Sequence, residues 1–304
     1  MSLYHKYRPN TLDEMVGNEE TIDSLKTILT RKRVDIPHVF LFFGPSGCGK
    51  TTVARILAKE LGANDMDITE INFADQNGVD TARDIRAKMF YRPSCGEARV
   101  WILDEFHMAT AQAINCLLKP MEDTPPFTYF MICTTNPAKV IGTTKTRSVQ
   151  YVLNSYTEDQ IKYIVKRVAR GEKKPLSQEV YDTIAASSFG SGRLALNILE
   201  KVIDLPEEKQ VATAKIVADM EMEGQFIGKL LLNKKTDWKD IAQAITNAKS
   251  EPESIRQQIL GYATAIILKS ANPRAYLILE CFHEDFYTTG KSGLARACWM
   301  TMNV

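Results

Sequence analysis

The stretch Gly44-Pro45-Ser46-Gly47-Cys48-Gly49-Lys50-Thr51 decides how this chain is read. It fits GxxxxGKT, the spacing of a loop that wraps the phosphates of a nucleotide. Ahead of it lies His38-Val39-Phe40-Leu41-Phe42-Phe43, a short apolar run of buried-strand type. Behind it, residues 52–61 place Val53, Ile56, Leu57 and Leu61 at helical spacing. Strand, glycine loop and helix form the context that the motif requires. The glycines let the backbone curl round a polyphosphate, with its N–H groups and the helix N-terminus aimed at the ligand. In such a loop Lys50 reaches the β- and γ-phosphates, and the Thr51 hydroxyl ligates Mg²⁺. Gly44, Pro45, Ser46, Gly47, Cys48, Gly49, Lys50, Thr51 and Thr52 are therefore the first candidate ATP-binding residues. A chance glycine-rich turn is the competing reading, and the correct flanks argue against it.

The chain of 304 residues is long enough for two or three domains, and its net charge is +1. No global field draws it to nucleic acid, so any such contact has to come from a local patch. The six cysteines (Cys48, Cys95, Cys116, Cys133, Cys281 and Cys298) form no CxxC pair. Free thiols in a reducing cytosol are the simplest account of them. No signal peptide and no apolar run of membrane-spanning length is present in the sequence. The expected location is the cytoplasm, bacterial or that of an infected host.

Residues 67–73 alternate like a strand, and a helix is expected from Asp80 or Thr81 to Phe90. Arg99-Val100-Trp101-Ile102-Leu103-Asp104-Glu105 reads as a buried parallel strand with carboxylates at its C-terminal edge, where open α/β sheets place ligands. Asp104 would complete the Mg²⁺ shell with Thr51, and Glu105 would orient or deprotonate the attacking water. A helix is expected over residues 110–121, stopped around Pro120 to Pro126. A further buried strand, residues 129–136, ends in Asn136. A strand-end Asn is ordinarily a turn former; beside Glu105 it would sense water or the γ-phosphate. Residues 143–147 read as a basic loop, followed by a last strand at 149–153.

The α/β domain is expected to occupy residues 1–155. Thr157-Glu158-Asp159-Gln160 then fits a capping box. Helices at 158–170, 178–187 and 192–203 make a second, helical domain, residues 156–206. Arg193 falls in the first turn of the last of these, where a cation opposes the helix dipole and a phosphate would repay it. Residues 207–304 read as amphipathic helices without a chemical constellation, a domain for packing or oligomerisation.

Taken in order, Tyr7-Arg8-Pro9 with Val16-Gly17, the phosphate loop, Leu103-Asp104-Glu105-Phe106-His107-Met108, Asn115-Cys116-Leu117-Leu118-Lys119 with Met121-Glu122, Thr134-Thr135-Asn136 and Gly192-Arg193 resemble a sliding-clamp-loader ATPase. The chain is similar to the bacterial tau/gamma type and to the small subunits of replication factor C, both AAA+ proteins. The resemblance covers residues 3–205 at motif level. It implies an α/β P-loop AAA+ core, an all-α lid and an all-α collar through which a five-membered ring, a hetero-oligomer, assembles. It implies that Tyr4, His5, Lys6, Tyr7, Arg8 and Pro9 of the N-terminal arm, with Val16 and Gly17, hold adenine. It makes Asn136 and Arg193 the two nucleotide sensors. It makes Arg147 an arginine finger serving the neighbouring subunit, a role that can be worth ~10³–10⁵ in rate.

The resemblance further implies that the helix beginning at Thr81 lines the inner chamber. Thr81, Arg83, Arg86 and Lys88 would follow a DNA backbone there, and Met89, Phe90 and Tyr91 would meet the clamp. The partners are then primer-template DNA, the clamp and the other loader subunits. The cofactors are ATP and Mg²⁺, without zinc, since the four-cysteine module of the bacterial subunit is missing. The finger motif reads Thr146-Arg147-Ser148 rather than Ser-Arg-Cys, and Glu122-Asp123-Thr124-Pro125-Pro126 carries one inserted residue. These departures suit a compact viral or plasmid-type version. The implied function is ATP-driven clamp opening and placement in DNA replication. The alternatives are an AAA+ DNA motor, such as a branch-migration or unwinding ring, and an idle structural subunit. Intact Lys50, Asp104 and Glu105 speak against the latter.

Overall fold

The computed structural model describes residues 2–76, 78–221, 223–248 and 250–303. It divides into two compact units, Met1–Val211 and Ala212–Val304. The first is built on five parallel strands: β1 (Val39–Phe43), β2 (Ile68–Asn72), β3 (Arg99–Asp104), β4 (Thr128–Thr134) and β5 (Val149–Val152). Their order is β2-β3-β4-β1-β5. The buried strands read as apolar runs because helices cover both faces of the sheet. Phe40, Phe42, Tyr129 and Met131 pack on one side with Leu25, Ile56 and Leu57. Leu41, Phe130, Ile132 and Leu103 pack on the other with Ile85, Ile114 and Leu117.

Pairing fixes what meets at the C-terminal edge. Phe43 is level with Thr134, and Asn72 with Asp104. The chain leaves β1, which has β4 and β5 as its neighbours, and crosses to the far edge to form β2. The crevice at such a switch point is where open α/β sheets bind ligands. The phosphate loop leaves β1 there.

Most helices fall within a few residues of the expected ends. The helix Ala111–Glu122 ends within the Pro120 to Pro126 stretch expected to stop it, with Pro120 taken into its last turn. Near the last turn a proline costs one helical hydrogen bond. Burial of Leu117 and Met121 holds the turn in place, and Thr124 Oγ1 closes it by donating to the Pro120 and Met121 carbonyls at 2.9 and 3.2 Å. Gly142–Thr146, read as loop, is a single helical turn.

After β5, Thr157 accepts the Gln160 N–H at 3.2 Å and the Gln160 side chain accepts the Thr157 N–H at 3.0 Å, completing the capping box. The helices Glu158–Gly171, Gln178–Ser187 and Gly192–Val202 follow. The second unit has its own core, with Ile227, Leu231, Ile241, Ile255, Ile259, Phe282, Leu294 and Cys298 buried together. Glu253 and Arg256 form a buried pair there at 2.6 Å, and Glu253 also accepts the Phe286 N–H at 2.8 Å. No described helix is long and apolar enough to cross a membrane.

Candidate nucleotide-binding site

The phosphate loop turns on glycines in the left-handed region, Gly47 at φ 75° and Gly49 at φ 102°, which side chains rarely adopt. Lys50 opens the helix Lys50–Glu60. It is buried, and its Nζ donates to the Gly44 and Pro45 carbonyls at 2.9 and 2.7 Å across the mouth of the loop. Thr51 Oγ1 donates to Asp104 Oδ2 at 2.7 Å. The other oxygen of Asp104 accepts the Glu105 N–H at 2.9 Å. Hydroxyl and carboxylate therefore converge from two elements far apart in sequence. Hard oxygen donors beside phosphate-binding N–H groups suit Mg²⁺.

These groups line a cavity of about 240 Å³ together with Tyr4, Ser46, Gly47, Gly49, Glu70, Asn72 and Arg193. Arg193 enters from the first turn of the helix Gly192–Val202. The approach is close: the Gly192 N–H donates to the Gly47 carbonyl at 3.1 Å, and a Cβ on Gly47 would lie 2.1 Å from Ser191 Oγ. Arg193 Nη2 donates to the Tyr4 hydroxyl at 3.4 Å, while the Arg193 and Arg8 guanidinium carbons sit 5.0 and 4.8 Å from the Tyr4 ring centre. Burial disfavours the Tyr4 phenolate, but the Arg193 hydrogen bond and the charges of Arg193 and Arg8 outweigh it, and the phenol lies below its usual pKa. Burial likewise opposes the Arg193 charge, and Tyr4, Asp104 and Glu105 more than restore it.

A narrow slot continues from this cavity, lined by Tyr7, Arg8, Pro9, Met15, Val16 and Tyr156 among others. Tyr4, Tyr7, Arg8, Pro9 and Val16 line this slot together. His5 and Lys6 do not: both are exposed, and Lys6 turns outward to Glu172 at 2.6 Å. They alternate with the slot-facing residues along one helical turn, which a contiguous motif cannot resolve. Gly17 shapes the backbone beside Val16 (φ 69°) and is absent from the lining.

Sequence reading missed Tyr156 and Arg167, which line the slot from the strand-to-lid junction and the first lid helix. Burial pushes the Tyr156 phenol up to about 12. Cys48 is buried, and desolvation raises its thiol above the usual value.

Asn136 stands past the end of β4. Its Oδ1 accepts the Ala138 and Lys139 N–H groups at 3.1 and 3.4 Å, the turn-forming role. Thr135 meets Glu105 instead, its Oγ1 donating to Oε2 at 3.3 Å. Arg147 lies away from this cavity. It donates through Nε to Glu122 Oε1 at 2.7 Å, makes a second bond to the same oxygen through Nη2, and donates through Nη1 to the Thr143 carbonyl at 2.8 Å.

The helix Val79–Lys88 exposes Arg83, Arg86 and Lys88. Arg83 pairs with Asp80 at 2.9 Å and Lys88 with Asp84 at 2.6 Å, so much of its positive charge is offset along the helix. Met89 is a correction: it is fully buried, packed with Phe73 and Ile85, because it continues the inward face of that helix. Phe90 and Tyr91 are 59% and 63% exposed.

A family model described as DNA polymerase III, delta subunit, matches residues 62–157. The gamma/tau subunit of DNA polymerase III from Mycobacterium bovis is 32% identical over 67% of this chain and 39% of its own length. The tau subunit from Bacillus subtilis is 27% identical over 92% of this chain and 54% of its own length, and that from Escherichia coli 29% identical over 71% and 36%. The chain thus spans about two fifths to half of these relatives. Among solved structures, the Thermotoga maritima RuvB Holliday junction branch migration motor superposes with a TM-score of 0.60 over 90% of this chain and 91% of that one, at 22% identity. That likeness concerns the fold. The chain has a P-loop α/β fold and is similar in sequence to part of the tau/gamma subunits of bacterial DNA polymerase III.

Proposed function

We propose that this chain is an ATPase subunit of a sliding-clamp loader, opening a clamp and placing it on primer-template DNA. The observation that carries the reading is the convergence of Thr51, Asp104 and Glu105 at the mouth of the phosphate loop, with Arg193 reaching the same cavity from the lid. Loop N–H groups and Lys50 bind the β- and γ-phosphates. Thr51 and Asp104 would hold Mg²⁺, which would supply charge neutralisation at the phosphates. Glu105 orients the attacking water and takes its proton. Arg193 and Asn136 report the γ-phosphate to the lid and to the end of β4.

The ring has five members, and each Arg147 serves the site of its neighbour. Arg147 is not among the residues that line its own cavity, which supports a role in trans, and Glu122 fixes its direction. The amide N–H groups at the start of Val79–Lys88, with Thr81, Arg83, Arg86 and Lys88, follow the DNA backbone. Such contacts set position rather than sequence and weaken with salt. Phe90 and Tyr91 meet the clamp. ATP acts as an assembly switch, so turnover is slow until DNA and clamp are both present.

The fold likeness to a branch-migration motor leaves the ATP site common to both readings; the tau/gamma relatives favour the loader. Glu105→Gln tests the chemistry. Binding of a fluorescent ATP analogue should be retained and hydrolysis lost. Turnover equal to that of the unaltered protein would contradict the assignment.

A further inference from the structure

Glu105 is held by more than its own strand. Its backbone is in the left-handed region at φ 47°, uncommon for a residue with a side chain. Besides Thr135, a second group faces Glu105 Oε2: His107 Nδ1, at 3.4 Å. That ring nitrogen is also 3.1 Å from Thr134 Oγ1. Thr134 is fully buried, and its hydroxyl oxygen accepts the Asn136 N–H at 3.1 Å. A chain of contacts therefore runs from the backbone of Asn136 through Thr134 and His107 to the carboxylate.

A carboxylate only accepts hydrogen bonds, so with its proton on Nδ1 the ring shares that proton between Thr134 Oγ1, the shorter contact, and Glu105 Oε2. Burial lowers the pKa of His107 below its ordinary value, with the charges of Lys139 and Lys50 adding to the effect and that of Glu105 opposing it. At neutral pH the ring is uncharged. It orients the carboxylate without neutralising it.

We propose that His107 is a positioning residue for Glu105: its Nδ1–H aims the carboxylate at the attacking water, and Thr134 ties that aim to the segment carrying Asn136. The inference rests on ATP hydrolysis at this site. A small misplacement of a reacting group can cost about 10²-fold in rate.

The test compares steady-state hydrolysis and ATP-analogue binding in the mixture of DNA and partner proteins that gives the fastest unaltered turnover. His107→Ala should lower kcat about 10- to 100-fold, with KM for ATP and analogue affinity unchanged. His107→Asn, whose amide nitrogen falls near the place of Nδ1, should restore most of the rate. His107→Gln, whose amide reaches toward the place of Nε2, should not. An unchanged kcat in His107→Ala, a loss of analogue binding that matches the loss of rate, or equal activity of the Asn and Gln variants would each overturn the proposal. Thermal melting separates misfolding from misplacement, and the Asn and Gln variants decide the matter if the Ala variant is unstable. Absence of hydrolysis by the unaltered protein in every mixture would overturn the ATPase reading and this inference together. Hydrolysis that is indifferent to His107 overturns the inference alone.

Discussion

Gly47 shows how narrowly the site is built. Its φ of 75° and the 2.1 Å approach of Ser191 Oγ to a Cβ leave room for nothing larger. An L side chain in that region costs roughly 1–2 kcal/mol before any clash, and relief of the clash would push Ser191 and Arg193 away from the phosphate cavity. Gly47→Ala should therefore weaken ATP-analogue binding by about tenfold or more, read by fluorescence titration; unchanged affinity would mean the lid does not close on the loop. The phosphate loop was legible because its residues are consecutive and their types are dictated by the backbone. Asp104 and Glu105 were legible because they end an apolar run. Tyr156, Arg167 and His107 were not, because their roles come from neighbours distant in sequence. Contiguity misled at His5, Lys6 and Met89, where a motif's residues point to different sides of one helical turn.

At the scale of elements, one carboxylate gathers three consecutive N–H groups of the segment between Val79–Lys88 and β3. Asp67 is fully buried just before β2 and accepts the N–H groups of Ser94, Cys95 and Gly96 at 2.6, 3.0 and 2.9 Å. Arg99 Nη2 lies 3.7 Å away. Burial raises the pKa of this acid, but the three N–H donors and Arg99 outweigh it and hold it below 3.8. Its contribution is present above the unfolded-state pKa and is lost as pH falls through the lower folded-state value. Asp67→Asn removes the charge and turns a donor toward the N–H groups. It should destabilise the first unit by about 3 kcal/mol at pH 7. In urea unfolding the gap from the unaltered protein should be constant down to about pH 4 and narrow below it. A gap that does not change with pH would contradict the role of the charge. None of this shows in the sequence, where Asp67 is one more acid before a strand. The helices and strands themselves were legible from periodicity, and the single helical turn Gly142–Thr146 was not, since a run of Gly, Thr and Lys carries no apolar period.

For the whole molecule, the motifs of residues 3–205 carry the resemblance to tau/gamma subunits, and the relatives bear it out. Residues beyond them carry a helical core and no motif, so nothing in their order announces a role. Net charge of +1 gives no overall pull toward DNA, and the helix proposed to meet it carries three cations beside two acids, Asp80 and Asp84. What separates a loader from a motor with the same site is which partners release hydrolysis. Steady-state ATP hydrolysis should be measured for the protein alone, with primer-template DNA, with the clamp and remaining loader subunits of its replication system, and with all of them. Strong stimulation in the complete mixture alone, abolished in Arg147→Ala with nucleotide binding intact, is the expected result. Full activity with DNA alone, or an Arg147→Ala variant as active as the unaltered protein, would contradict a clamp loader with shared sites.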